Sequence, residues 1–345
     1  MVYQPGNNNP FAIPSKHGEM PTFVVRASKP QLPPVDVILE TAEVVSLPMR
    51  TRFRGIAVRE AMIFRGLKGW GEFSPFLEYD DVESANWLAA GIEAAWQGPP
   101  PAVRDTVPVN ATVPAVPADQ VAEILARFPG ATTAKVKVAE AGQTLHDDVE
   151  RVAAVRELIP RVRIDANGAW DVPTALEAIS AIGDVEYVEQ PCASIKELAA
   201  VRRVVDVPIA ADESIRRAED PLLVARAEAA DIAVLKVAPL GGMRKVLALN
   251  TALKMDVVIS SALDTAVGMA ASVATAAALP MLDHACGLGT GVLLERDVAP
   301  SFVPRHGAVS PRLVTPDDDL PLAAPDRIAW WEARLRRCHA VLMAR

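Results

Sequence analysis

The chain has 345 residues, half of them hydrophobic, and a formal net charge of −8. This length suits about two domains, or one barrel-sized domain with additions. The acidic balance speaks against nucleic acid and anionic membrane surfaces as partners, since both select clustered Lys and Arg. Three widely spaced cysteines, Cys192, Cys286 and Cys338, form neither a disulfide framework nor a paired zinc motif, so a reducing cytoplasm is expected. No apolar run reaches transmembrane length, and the N-terminus lacks the basic start and apolar core of a secretory signal.

In chain order, residues 1–34 carry seven prolines and the run Asn7-Asn8-Asn9, which predicts a flexible extension. Residues 35–100 read as a small α+β unit. Strands are expected at Val35–Val45 and Gly55–Phe64, joined by a loop LPMRTRFRG, with a helix at Val82–Trp96 and a boundary at Pro99–Pro101. Residues 101–310 then alternate. Strand candidates are Val107–Val113, Thr133–Val138, Val162–Asn167, Val185–Glu189, Pro208–Glu213, Asp231–Val237, Val257–Ala262 and Leu282–Ala285. Helical patterns between them are clearest at Gln143–Leu158, Ile195–Val205 and Met243–Lys254, and an apolar run near Ala266–Pro280 reads as a buried helix. Eight strands alternating with helices predict an α/β fold with a closed parallel barrel; an open doubly wound sheet would lack its Gly-rich fingerprint here. The tail 311–345 ends in a helix, Pro325–Ala344, with Trp330 and Trp331 as packing anchors.

Within this alternation Asp165, Glu189, Asp212 and Lys236 recur at intervals of 24, 23 and 24 residues, each at the end of a strand candidate. Burying an ionised side chain is costly unless it is paired or binds a metal. Barrel active sites form where the strands end. Three hard oxygen ligands without Cys or His suit Mg²⁺, with Mn²⁺ as a substitute. Lys135 and Lys137 on the second strand share a face, as do Asp165 and Asn167 on the third. Lys236 on the sixth strand is diametrically opposed to the second. The chain has nine lysines against twenty-six arginines, yet the cations in its most apolar strands are lysines, which can release a proton where arginine cannot. One divalent metal and two flanking amines point to proton abstraction beside the carboxylate of a small substrate, with Lys135 and Lys137 repelling one another to lower the base's pKa. Schiff-base chemistry on a barrel lysine would leave the carboxylates unexplained. Ser260 and Ser261 end the seventh strand. The glycines of CGLGTG, Gly289 central among them, could bind a substrate carboxylate through backbone N–H groups. Glu213 is expected on the opposite strand face, and His284 in a strand.

The motifs Lys135–Lys137 (KVK), Asp165–Asn167 (DAN), Glu189–Pro191 (EQP), Asp212–Ser214 (DES) and Lys236 resemble the enolase superfamily, muconate-lactonizing subgroup. Longer segments resemble more closely the o-succinylbenzoate synthase family of actinobacteria: LPMRTRFRGI at Leu47–Ile56, GWGEFSPFLEY at Gly69–Tyr79, NATVPAV at Asn110–Val116, SSALDTAVG at Ser260–Gly268 and DHACGLGTG at Asp283–Gly291. The resemblance implies a (β/α)₇β barrel of TIM type with an α+β capping domain, to which the C-terminal segment returns. It implies a Mg²⁺-dependent syn dehydration of 2-succinyl-6-hydroxy-2,4-cyclohexadiene-1-carboxylate to 2-succinylbenzoate through an enediolate. It further implies Lys137 as base, Lys236 as the cation facing the enediolate, and Asp165, Glu189 and Asp212 as metal ligands. Loops around Arg52–Gly55 and Gly71–Ser74 are expected to close over the succinyl chain, with Arg52 or Arg54 meeting its carboxylate. The same barrel motif serves an alternative, an N-acylamino acid racemase or dipeptide epimerase, in which both lysines exchange protons. A non-enzymatic binding protein would be expected to have lost a lysine or a ligand, and none is missing.

Overall fold

The computed structural model describes residues 32–53, 55–218 and 220–345, and residues 33–345 form one compact unit. The expected extension lies outside the described residues except for 32–34, where Pro33 is buried with its carbonyl 2.9 Å from His339 Nε2. A short helix α1 (Val35–Leu39) follows Pro34, where a strand was expected, with Asp36 in its first turn. Proline pre-sets the backbone for helix entry, and an acid in the first turn favours the helix dipole.

Strand β1 (Glu43–Phe53) runs through the segment expected to be a loop and pairs with β2 (Ile56–Gly66), which pairs with β3 (Gly69–Phe73), all antiparallel. Val45, Leu47 and Met49 alternate inward and drive the strand onward, and the register slips between Pro48 and Phe53, where Pro48 offers no N–H. Helix α2 (Asp81–Gln97) is capped by Asp80, whose carboxylate accepts from Glu83 N at 2.8 Å, and covers β3. The two elements meet backbone to backbone at Gly71 and Gly91.

The barrel follows, through β4 (Val107–Pro108), β5 (Ala111–Val113), α3 (Val121–Leu125), β6 (Thr133–Lys137), α4 (Leu145–Arg156) and β7 (Arg161–Asp165). It continues with α5 (Val172–Ile182), β8 (Val188–Glu189), α6 (Ile195–Arg202), β9 (Ile209–Ala211), α7 (Glu213–Arg216) and α8 (Leu223–Arg226). Then come β10 (Ile232–Leu235), α9 (Val237–Leu240), α10 (Met243–Leu253), β11 (Asp256–Ile259) and α11 (Ala266–Ala278). Capping boxes at Thr144/Asp147 and Ser194/Glu197 fix the starts of α4 and α6. Strands β5 to β11 lie in sequential parallel order. Parallel bridges from Val109 to Cys286 and from Ser260 to Gly287 close the ring. The eighth stave is therefore Cys286–Gly287, held by four backbone bonds of 2.7–3.0 Å, rather than the expected 282–285. The expected first strand 107–113 is divided: β4 pairs antiparallel with β12 (Ala308–Val309), and Pro108, which cannot donate, is tolerated on such an edge pair. The fold is an α/β barrel of TIM type with a separate α+β cap.

The C-terminal helix α12 (Pro325–Ala344) returns to the first sheet, preceded by an antiparallel bridge from Leu322 to Val45. Trp331 is fully buried, edge-on to Phe73 at 5.7 Å, and its Nε1 donates to Glu60 at 2.9 Å, as befits a packing anchor.

Toward the N-terminal ends of the strands, Arg163 on β7 is fully buried, donates to Glu186 at 2.7 Å and stacks on Tyr187. This corrects the expectation that apolar strands here hold only lysines: a permanent cation is accommodated by a bidentate partner. His284 lies in a bend, not a strand, between Glu186 (3.2 Å) and Asp256 (3.1 Å), remote from the strand C-termini. The hydrogen bond to Glu186 outweighs burial and raises the His284 pKa. Burial opposes ionisation of Glu186, but His284 and Arg163 pull it down to about 2. A raised histidine pKa stabilises the fold below the unfolded value of about 6.5 and loses that effect as pH rises through the folded value. His284→Asn is thus expected to lower urea-unfolding stability more at pH 6 than at pH 9; an equal loss at both would refute the charged pairing.

Candidate active site

Parallel register sets Lys137 opposite Asp165 and Asp165 opposite Glu189, so three charged groups stand level at adjoining strand ends. Lys135 lies one inward step earlier on β6. Its Nζ is 2.8 Å from both carboxylate oxygens of Glu189 and 3.0 Å from Asp165 Oδ2. Lys137 Nζ donates to Asp165 Oδ2 at 2.5 Å and to Asn167 Oδ1 at 2.6 Å. Across the barrel, Lys236 is the residue that leads β10 into α9 and donates to Asp212 Oδ2. Arg216 Nε holds the other Asp212 oxygen at 3.0 Å, and Arg216 Nη1 bonds the Tyr79 hydroxyl at 2.8 Å. Asp165, Glu189 and Asp212 are all fully buried.

Burial alone would keep these acids protonated. For Asp165 the charges of Lys135 and Lys137 outweigh burial and hold the carboxyl far below the usual range. Burial likewise opposes Asp212, but Lys236 and Arg216 bring it to about 2. Glu189 is raised to about 7 by burial and by the neighbouring Asp165. Burial would lower Lys135, yet Asp165 and Glu189 push it well above the ordinary lysine value, so this amine stays charged.

Strand β9 ends at Ala211, and Asp212 begins the turn into α7. Glu213 therefore does not fall on the opposite strand face as expected. It lines the mouth, accepts from Arg216 at 2.7 Å and from Asn167 Nδ2 at 3.3 Å, and leaves its buried Oε2 without a hydrogen-bond partner. Among the described residues no three acids converge as a ready coordination shell, because Lys135 bridges Asp165 and Glu189 while Lys236 holds Asp212. The donors themselves, all hard carboxylate oxygens on successive strand ends, fit a divalent cation.

Ser260 and Ser261 line the same cavity, with Ser261 Oγ 2.6 Å from Thr290 Oγ1. Gly287, not Gly289, is the glycine on its wall. A Cβ at Gly289 would stand 2.9 Å from the Phe128 ring, which gives that glycine a packing reason. Arg54 lies outside the described residues, and Arg52 is exposed, donating to Gly55 O at 2.9 Å. The cap instead supplies Phe53 and Phe76 to the cavity. The Gly71–Ser74 segment is not an open loop: Glu72 and Ser74 are buried and bonded to each other at 2.5 Å. The free volume of the cavity is about 40 Å³, small beside the several hundred Å³ of a typical ligand pocket. A larger groove of about 630 Å³ beside the β2–β3 turn has Arg65, Lys68 and Arg312 but no carboxylate on its wall, so it offers no acid–base pair.

Sequence reasoning missed Arg216, Tyr79, Phe76 and Leu263. Arg216, four residues after Asp212, could have been found from helical spacing had α7 been anticipated.

Known proteins are similar to this chain over nearly its whole length. The enolase C-terminal domain-like family model matches residues 118–316, and the enolase N-terminal domain-like model matches residues 44–95. An o-succinylbenzoate synthase of Mycobacterium tuberculosis (strain ATCC 25618 / H37Rv) is 58% identical over 320 residues, covering 91% of this chain and 98% of that protein. One from Mycobacterium ulcerans (strain Agy99) is 58% identical over 314 residues, covering 89% and 96%. Among solved structures, muconate lactonizing enzyme from Pseudomonas fluorescens complexed with muconolactone superposes with a TM-score of 0.67 at 24% identity, covering 84% of this chain and 97% of that one. An isomerase from Streptomyces coelicolor A3(2) gives 0.66 at 22%, covering 85% and 97%, so these structures share the fold. With 58% identity over 91% of its length and both enolase domain models matched, the chain belongs to the o-succinylbenzoate synthase family of the enolase superfamily.

Proposed function

We propose that this chain is a lyase that dehydrates 2-succinyl-6-hydroxy-2,4-cyclohexadiene-1-carboxylate to 2-succinylbenzoate in menaquinone biosynthesis. One observation carries the reading: the lysines and carboxylates of the strand ends are all present in a chain 58% identical to o-succinylbenzoate synthases over 91% of its length. The family uses a divalent metal, and we assign Mg²⁺, with Mn²⁺ as a substitute. Asp165, Glu189 and Asp212 would hold it, and when bound it would offset the negative charge that develops on the substrate carboxylate.

Four acids (Asp165, Glu189, Asp212, Glu213) face four cations (Lys135, Lys137, Lys236, Arg216). Lys135 is held charged by Asp165 and Glu189, and arginine does not titrate. Lys137 is the amine on β6 whose side chain is the more exposed, and it takes the base role. It removes the ring proton α to the carboxylate. Lys236, on the opposite side, faces the developing enediolate as a cation. In a syn elimination the leaving hydroxyl shares the face of the base. The Lys137 ammonium can then return the proton, so that hydroxide departs as water and the ring becomes aromatic.

The three cysteines are free and buried, which supports a cytoplasmic placement. Among the described residues no helix is long and apolar enough to cross a membrane.

The test is to assay purified protein with the cyclohexadiene substrate, with N-acylamino acids and with dipeptides, before and after chelation. Dehydration that stops with chelator and returns with Mg²⁺ is expected. Racemisation without dehydration would favour the alternative, and chelator-resistant dehydration would sink the metal assignment.

A further inference from the structure

Two walls of the site cavity are organised by one buried cation from the cap. Arg59, on β2, is 3% exposed. Its Nε donates to the carbonyl of Leu263 at 3.0 Å, and its Nη2 donates to the carbonyl and, at 2.9 Å, to the Oγ of Ser74. Its guanidinium lies 4.6 Å from the centroid of the Phe76 ring. Leu263 belongs to the loop after β11 and Phe76 to the segment after β3, and both line the cavity that holds Lys137 and Lys236.

Leu263 has φ +63°, in the left-handed region that a branched residue rarely occupies. Such a backbone persists only where its surroundings over-determine it, and such sites cluster where ligands are gripped. Here it is held on both sides. Before it, Ala262 N donates to Asp264 at 3.2 Å. After it, the carboxylate of Glu72, from β3, accepts from Thr265 N at 3.1 Å, Thr265 Oγ1 at 2.6 Å and Gly268 N at 2.9 Å. The loop is thus gripped by two cap residues, Arg59 at its carbonyl and Glu72 at its exit into α11. Apolar contacts could join cap to barrel without burying charges, which are costly to desolvate. Both cap residues instead bond the loop that carries Leu263, one of the segments that border the cavity.

We propose that Arg59 and Glu72 form a clamp that fixes Leu263 against Phe76, and that Arg59 is a specificity-determining positioning residue for the ring of the substrate. The proposal rests on the dehydratase reading above. Neither side chain reaches the reacting atoms, so the clamp governs substrate fit rather than the proton transfer.

The test uses full-length, Mg²⁺-loaded protein with Arg59→Lys, Arg59→Met and Glu72→Gln. Each variant is checked by its melting temperature and by Mg²⁺ affinity. KM for the cyclohexadiene substrate and Kd for 2-succinylbenzoate are expected to rise together by about ten- to a hundred-fold while kcat stays within about three-fold, the pattern of lost uniform binding. Arg59→Lys keeps the charge but cannot reach Leu263 and Ser74 together, so it should recover only part of the loss. Should Arg59→Met fail to fold, Glu72→Gln keeps the shape while replacing one acceptor oxygen by a donor, and is read the same way. Unchanged KM and Kd in a folded variant, or a loss of rate that only tracks the folded fraction, would overturn the clamp. Wild-type protein that does not dehydrate the substrate would overturn the reading beneath it instead.

Discussion

Lys137→Ala is expected to lower kcat for dehydration by about 10³- to 10⁴-fold, the upper range for loss of a positioned general base. The fold should survive, because Asp165 keeps Lys135 at 3.0 Å and the backbone bond from Asn167 N, also at 3.0 Å. The sharper comparison is with arginine. Lys137→Arg preserves the cation beside Asp165 but cannot be deprotonated, so it should be as inactive as the alanine variant. Lys236 acts in this reading as a fixed charge, and Lys236→Arg should retain more activity than Lys137→Arg. Single-turnover kinetics at saturating substrate would measure both. Equal tolerance of arginine at the two positions would sink the division of roles. A racemase, which needs both amines to exchange protons, should lose its activity with arginine at either site.

The largest loss of stability is expected from Gly71→Ala. A Cβ there would lie 2.1 Å from the carbonyl oxygen of Gly91 and 2.9 Å from the Phe64 ring. The reverse substitution, Gly91→Ala, would place a Cβ 2.4 Å from the carbonyl oxygen of Glu72. The obstructing atoms are backbone on both sides, so no rotamer change can relieve them. Overpacking in well-filled cores costs about 1–3 kcal/mol when side chains can shift. With backbone opposing backbone, a loss above about 4 kcal/mol is expected, in the exceptional range for a single substitution. Chemical denaturation at fixed Mg²⁺ would read it directly. A change below about 1 kcal/mol would mean that β3 and α2 separate easily, and the close approach would then be incidental.

The barrel was legible because its signal is repetitive. Asp165, Glu189 and Asp212 recur once per strand and helix, and apolar strands flanked by amphipathic helices admit few other folds. Helix starts were read well at Ser194 before α6 and at Pro325 in α12, although α6 ends at Arg202 rather than at the expected Val205. What escaped depends on distant contacts. Arg50, Thr51 and Arg52 look like loop residues, yet they lie within β1, in the irregularity between Pro48 and Phe53, where Met49 bridges to Leu294 and Arg50 donates to the Leu294 carbonyl at 3.0 Å, far along the chain. The eighth stave has only two residues in register, too few for any periodicity to show. Glu213 was assigned to the wrong face because a turn of helix begins one residue after the strand, and alternation stops there. Arg59 lies in a segment read only as a strand and Glu72 in one read as a loop; their partners, Leu263 and Thr265, are about 200 residues further on, where no local pattern can name them.

The return of α12 to the first sheet has a consequence for how the molecule is made. Arg334 donates to the carbonyls of Phe76 (2.9 Å) and Tyr79 (2.7 Å), and Trp331 seals Phe73, so the segment that carries a cavity wall is completed by residues translated some 250 positions later. The βα units of the barrel can pair with neighbours as they emerge, but the cap has no such option. Its apolar face must wait on the ribosome through the synthesis of the whole barrel, exposed to whatever would bind it. The cap is therefore completed only once α12 has been made, long after β1 to β3 emerge.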